Sequence, residues 1–126
     1  MAARKVLVVD DDRMIQAFLR AVFEKAGYRV TTAFDAMQGS MMARQVQPDL
    51  IVLDVSMPGG GGAKVFERLR MSAGTTGVPI LIHTSLPKED VLRLIPGAAD
   101  LPFVSKPADP AHILELAERV LAGGAS

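Results

Sequence analysis

Four apolar residues, Leu50-Ile51-Val52-Leu53, run straight into a carboxylate, Asp54. Pro58 and four glycines, Gly59 to Gly62, follow at once. A continuous apolar run bounded by turn residues reads as a strand buried on both faces, as in parallel sheets. Asp54 then stands at the carboxyl end of an interior strand, the edge where open α/β sheets form their ligand crevice. A charge in that place needs a partner or a task, because burying it alone is costly. A simple cap on the following turn would account for Asp54 as well. The rest of the chain decides between the two.

Lys5 to Val9 is a second apolar run, and it ends in Asp10, Asp11 and Asp12. Ile15, Phe18, Leu19, Val22 and Phe23 then recur at helical spacing, with Asp12 as N-cap and Gly27 as the stop. Capping explains one of the three acids and leaves two. Arg29 to Ala33 alternates weakly and suits a strand nearer the sheet edge. Asp35 caps a second helix that runs to about Gln47 and carries Met37, Met41, Met42 and Val46 as core and surface filler. Gly39 and Ser40 weaken it slightly.

Ala63 to Met71 is a third helix with Val65, Phe66 and Leu69 inward. Val78 to His83 makes a fourth buried strand, followed by Thr84 and Ser85. His83 reads as a packed strand-end histidine, and His112 lies on a helix elsewhere. Pro87 opens a fourth helix that Pro96-Gly97 cuts short. Leu101 to Ser105 is a fifth strand, and Pro102 marks it as an edge strand. Lys106-Pro107 follows, then a last helix from Asp109-Pro110 to about Leu121.

Five strands alternating with five helices imply a parallel sheet with right-handed crossovers and helices on both faces. A chain of 126 residues suits one such domain, with a core of about 5–121 and a flexible tail at 122–126. Fourteen acids balance fourteen bases, so nothing points to direct nucleic-acid binding. With no cysteine there is neither a disulfide framework nor a thiolate metal site. No apolar run reaches ~18 residues and no secretory leader pattern is present, so a cytoplasmic protein without a membrane span is expected.

The carboxyl ends of the strands bring together Asp10, Asp11, Asp54, Thr84, Ser85 and Lys106. Three carboxylates in one pocket cannot all stay ionised without a cation. An all-oxygen donor set favours a hard ion, Mg²⁺ or Mn²⁺. An ammonium and a hydroxyl left over are donors for an anion, and a phosphoryl group satisfies every member. A carboxylate can itself accept that group.

These residues carry a family resemblance over about Lys5 to Leu121. Val8-Val9-Asp10-Asp11, Leu53-Asp54 with Met57-Pro58 and Gly62, Thr84-Ser85, and Phe103 with Lys106-Pro107 stand in an order and spacing similar to receiver domains of bacterial two-component response regulators, the single-domain chemotaxis regulators among them. The resemblance implies a flavodoxin-like, doubly wound, five-stranded parallel sheet in the order 2-1-3-4-5. It implies Asp54 as phosphoacceptor, and Mg²⁺ on Asp10, Asp11, Asp54 and the main-chain carbonyl of Ser56. Lys106 would contact the phosphoryl oxygens, before a bond to Pro107 that is usually cis. Thr84 and Phe103 would form the switch that repacks the face made by the fourth helix, fifth strand and fifth helix. A sensor histidine kinase or histidine phosphotransfer protein would be the donor, and a downstream protein would read that face. The domain would signal rather than serve as an enzyme, beyond its own phosphotransfer and slow dephosphorylation.

Some positions depart from the family pattern. Gly59 to Gly62 make the loop beside the acceptor unusually flexible. Ser56 and Leu86 hold two positions that tune hydrolysis of the aspartyl phosphate in the family. Leu86 has no polar group to hold an attacking water, which implies slow self-dephosphorylation. Two other readings remain at this level. Asp10-Asp11-Asp12 also contains the D-x-D of haloacid-dehalogenase-like phosphatases, with Asp10 as nucleophile, yet only Asp109 stands where they need a later acidic pair. The other is a receiver-like interaction module that takes no phosphate. The starting Met and the short glycine tail favour a stand-alone regulator over an excised domain.

Overall fold

The structure, a computed structural model, describes residues 3–123. The chain runs β1 (Lys5–Val9), α1 (Arg13–Lys25), β2 (Arg29–Ala33), α2 (Ala36–Val46), β3 (Leu50–Leu53), α3 (Gly61–Met71), β4 (Ile80–Thr84), α4 (Lys88–Leu94), β5 (Phe103–Ser105) and α5 (Pro110–Leu121). Short 3₁₀ turns at Pro58–Gly60 and Pro96–Ala98 precede α3 and follow α4. Every strand pair is parallel and the order is β2-β1-β3-β4-β5, as expected. The part of the expected tail at 124–126 lies outside the described residues. Ala122 closes α5 as its C-cap, and Gly123 takes a left-handed φ of 88°.

Strand alternation splits the core in two. Val6, Val8, Leu50, Val52, Leu81 and Val104 face α1 and α5, meeting Leu19, Phe23, Ile113, Ala117 and Val120. Leu7, Val9, Ile51, Leu53, Ile80 and Ile82 face the other way, toward Ala43 of α2, Val65 and Leu69 of α3, and Val91 of α4. The interior strands β1, β3 and β4 are buried almost throughout, which is why they read as unbroken apolar runs.

The caps follow the sequence. The Asp12 carboxylate accepts from the Met14 and Ile15 amides, Asp35 from Gln38, and Asp109 from His112. Gln47 ends α2 in a left-handed conformation with φ 51°. Several boundaries differ from the pattern reading. The fourth strand begins at Ile80 rather than Val78, since Pro79 has no N–H for the ladder. The fifth begins at Phe103 rather than Leu101, because the Leu101 amide turns back to the Ala98 carbonyl. The third helix starts two residues early, at Gly61.

Candidate functional site

The carboxyl edge of the sheet assembles the site. Register sets Val9 beside Leu53, and Thr84 beside Ser105, so the residues that follow β1, β3 and β5 emerge together. The ladder continues one step further: the Asp10 amide donates to Ala33, the Asp54 amide to Val9, and the Lys106 amide to Thr84. This crevice lies where the chain leaves β1 for β2 on one side and β3 lies on the other, the topological switch point of the sheet.

Lys106 Nζ sits 2.7 Å from Asp10 Oδ2 and 2.8 Å from Asp54 Oδ2. The side chains of both acids are almost wholly buried, at 3 % and 2 % exposure. Asp11 is exposed, yet carboxylate oxygens of Asp10, Asp11 and Asp54 lie within 4.8 Å of one another. The Ser56 amide and hydroxyl both donate to Asp54 Oδ1, at 2.9 and 2.7 Å. Asp10 Oδ1 accepts from the Asp12 amide at 2.9 Å.

The two buried acids titrate in opposite directions. Burial pushes Asp54 up, but the Lys106 ammonium and the two Ser56 donors outweigh it and leave Asp54 below the ordinary carboxylate range. Burial also pushes Asp10 up, and there it prevails over Lys106 and the Asp12 amide, helped by repulsion from Asp54. Lys106 loses by burial and gains more from its bonds to Asp10 and Asp54, so its pKa rises. Asp54 is thus the acid best held as a free carboxylate.

Three carboxylates against one ammonium leave the pocket short of positive charge. All the donors are oxygens, so the set fits a small hard dication. Thr84 is fully buried and its Oγ1 accepts from the Leu86 amide at 3.3 Å. Phe103 is half-buried and packs against the core cluster that includes Val91 and Ile95. The Lys106–Pro107 peptide is cis.

Residues 6–118 match the profile of the response regulator receiver domain. The chain belongs to the response regulator receiver domain family. PilH of Pseudomonas aeruginosa is 34 % identical to this receiver domain over 121 residues, which cover 94 % of this chain and 98 % of PilH. RpaA of Synechocystis, a DNA-binding dual master transcriptional regulator, is 36 % identical over 111 residues, 87 % of this chain but 46 % of RpaA. The receiver domain therefore spans about half the length of some relatives and nearly all of others. The chemotaxis protein CheY4 of Vibrio cholerae superposes with a TM-score of 0.86 at 29 % identity, covering 94 % of this chain and 99 % of that one. The receiver domain of the sensor histidine kinase PA1611 from Pseudomonas aeruginosa shares the fold, with a TM-score of 0.87 at 24 % identity over 96 % of this chain and 99 % of that one. That protein carries a magnesium ion in its active-site cleft.

Three contributors to the site have roles that the sequence alone did not spell out. Gln16, buried on α1, donates through Nε2 to the main-chain oxygens of Asp10 and Ala33, tying β1 to β2 beneath the acids. A polar residue next to the apolar stripe was its only signal. The Ser56 side chain anchors Asp54, where the family resemblance implies its carbonyl as a metal ligand and its position as one that tunes hydrolysis. A Cβ on Gly62 would stand 2.3 Å from Val55 Cα and 2.7 Å from the Asp54 carbonyl oxygen. Glycine there lets the start of α3 close onto the end of β3. Gly59 and Gly60 supply left-handed turns instead, with φ of 68° and 70°.

Proposed function

We propose that this receiver domain accepts a phosphoryl group on Asp54 from the phosphohistidine of a sensor histidine kinase or a histidine phosphotransfer protein. The observation that carries the reading is the single ammonium of Lys106 held between Asp10 and Asp54, with Asp11 beside them. An Asp54 oxygen attacks phosphorus, the phosphorus–nitrogen bond breaks, and the imidazole leaves with the electron pair. Asp10, Asp11, Asp54 and the main-chain carbonyl of Ser56 would hold Mg²⁺, or Mn²⁺. The ion would neutralise phosphoryl oxygens as charge shifts onto them. Lys106 leaves Asp10 to donate to those oxygens.

Thr84 is the second donor. Among the described residues its hydroxyl is held by the 3.3 Å bond from Leu86 alone, a long one that a phosphoryl oxygen can outcompete. Movement of Thr84 leaves space for Phe103 to turn inward, and the face of α4, β5 and α5 repacks for a downstream protein. This is a two-state element biased by a new dianion. No described helix is long and apolar enough to cross a membrane.

Intact-mass spectrometry after incubation with acetyl phosphate tests the reading. Wild type should gain one phosphoryl group with Mg²⁺ and none without it, and Asp54→Asn should gain none. A gain that survives Asp54→Asn would move the acceptor to Asp10 and favour the phosphatase-like reading. No gain in wild type would favour an interaction module that takes no phosphate.

A further inference from the structure

One buried titratable side chain has no part in the chemistry above. His83 is 1 % exposed, and neither ring nitrogen has a hydrogen-bond partner among the described residues. Leaving a buried imidazole unpaired is costly, and a leucine of similar volume would avoid the cost. Such an orphan in a well-packed strand points to a partner acquired in another state.

Its surroundings name that partner. Alternation along β4 sets Ile80 and Ile82 against α2, α3 and α4, and Leu81 against α1 and α5. His83 therefore points to the side of Leu81. Val8, Val52 and Val104 face that way as well, so Asp10, Asp54 and Lys106 follow on the same side of the sheet. His83 pairs in register with Val104, two residues before Lys106, and it feels the charges of both Lys106 and Asp54. Burial first, and then Lys106, holds its pKa down to about 4. At neutral pH the ring thus carries one N–H and one free acceptor nitrogen.

Lys106 has three N–H donors and two carboxylate partners. Exchanging Asp10 for a phosphoryl oxygen leaves the ammonium with two partners, and its turn re-aims the third N–H, which still needs an acceptor. A further carboxylate would meet that donor but would repel the phosphoryl dianion. A neutral imidazole meets it without adding negative charge.

We propose that His83 is a positioning residue whose free ring nitrogen accepts a hydrogen bond from Lys106 once Lys106 has turned from Asp10 to the phosphoryl group. The role rests on the assignment of Lys106 as a phosphoryl ligand. It concerns the aim of the ammonium and leaves the acceptor chemistry with Asp54.

The test joins a spectroscopic readout to a rate. Nitrogen-15 spectra of the imidazole in wild type should show a neutral ring whose acceptor nitrogen moves upfield when Mg²⁺ and beryllofluoride, a phosphoryl mimic, are added together. His83→Leu should keep or raise the melting temperature, while phosphorylation by acetyl phosphate slows about tenfold, the loss of one charge-assisted hydrogen bond in the transition state. His83→Gln restores an acceptor oxygen and should recover most of the rate. An imidazole signal that does not move, or a His83→Leu rate equal to wild type, overturns the proposal. Equal slowing in both variants with matched losses of melting temperature overturns it too, in favour of packing alone. A wild type that gains no phosphoryl group overturns the parent reading and this one with it. A phosphorylated wild type with an unmoved imidazole overturns this one only.

Discussion

Replacing Lys106 by methionine isolates the charge at the centre of the site. Methionine keeps much of the reach and removes the ammonium. Asp10 and Asp54 would then face each other, with side chains 3 % and 2 % exposed and no cation between them. Breaking a buried ion pair from one side costs about 3–5 kcal/mol. The lower end applies, because Asp10 already has a raised pKa and can take up a proton. A loss of about 3 kcal/mol in a domain of this size lowers the melting temperature by roughly 10–15 °C.

The loss should depend on pH in a definite direction. Without Lys106, the folded pKa of the acid pair lies above its unfolded value, so the folded state binds more protons. Stability then falls as pH rises through that range, and the gap to wild type is widest near neutral pH and narrows toward acid. Mg²⁺ should close part of the gap, since a ligand at a hundred times its dissociation constant stabilises by about 2.7 kcal/mol. It should also bind the variant more tightly, because no ammonium competes for Asp10 and Asp54. Thermal melts between pH 5 and 8, with and without Mg²⁺, measure all of this. A variant that melts within about 3 °C of wild type near neutral pH, with no metal added, would refute the reasoning.

Other perturbations probe separate parts of the structure. Gly62→Ala forces a Cβ into the backbone of Val55 and Asp54 and should cost about 3 kcal/mol or more, seen as a lower urea midpoint at unchanged slope. Gly74→Ala, with open space around it, is the control, and equal midpoints for the two variants would refute the close approach. His83 has a folded pKa of about 4 against 6.5 for the free side chain, so the unfolded state binds more protons between those values. Its neutral ring adds no pH-dependent penalty above pH 6.5, and stability falls by about 3 kcal/mol as pH drops toward 4. His83→Leu should flatten that acid limb, and an unchanged limb in urea titrations would reject the assignment. Leu86 offers no polar group to an attacking water, so the aspartyl phosphate should persist for minutes or longer. Decay within seconds, followed by intact mass after phosphodonor removal, would contradict that.

Much of the site could be read before the fold was known, because each of its main acids ends an apolar run. A carboxylate after Val9 or Leu53 is visible as a break in periodicity, and so is Lys106 after Phe103 to Ser105. Gly39 and Ser40 show the limit. Read locally, they weaken α2, but both are buried, and a Cβ at Gly39 would sit 3.1 Å from Val9 Cγ1. The small residues let α2 pack down onto β1, a requirement set by a partner that is distant in the chain. Gln16 is similar: on its own helix it is one polar residue beside an apolar stripe, and only the meeting of β1 with β2 supplies its two acceptors.

The sequence by itself determined what is local: the alternation of strand and helix periods, the caps at Asp12, Asp35 and Asp109, and the acids at strand ends. These depend on neighbours a few residues apart, where backbone geometry alone relates side chains. Only the tertiary structure decided that Asp10 and Asp54 share the ammonium of Lys106, that Asp54 stays ionised while Asp10 resists ionisation, and that His83 lies unpaired on the same side of the sheet. Those facts follow from strand order and register across the sheet. They join residues distant in the chain to within a few ångströms, and no pattern within a single element encodes such a distance.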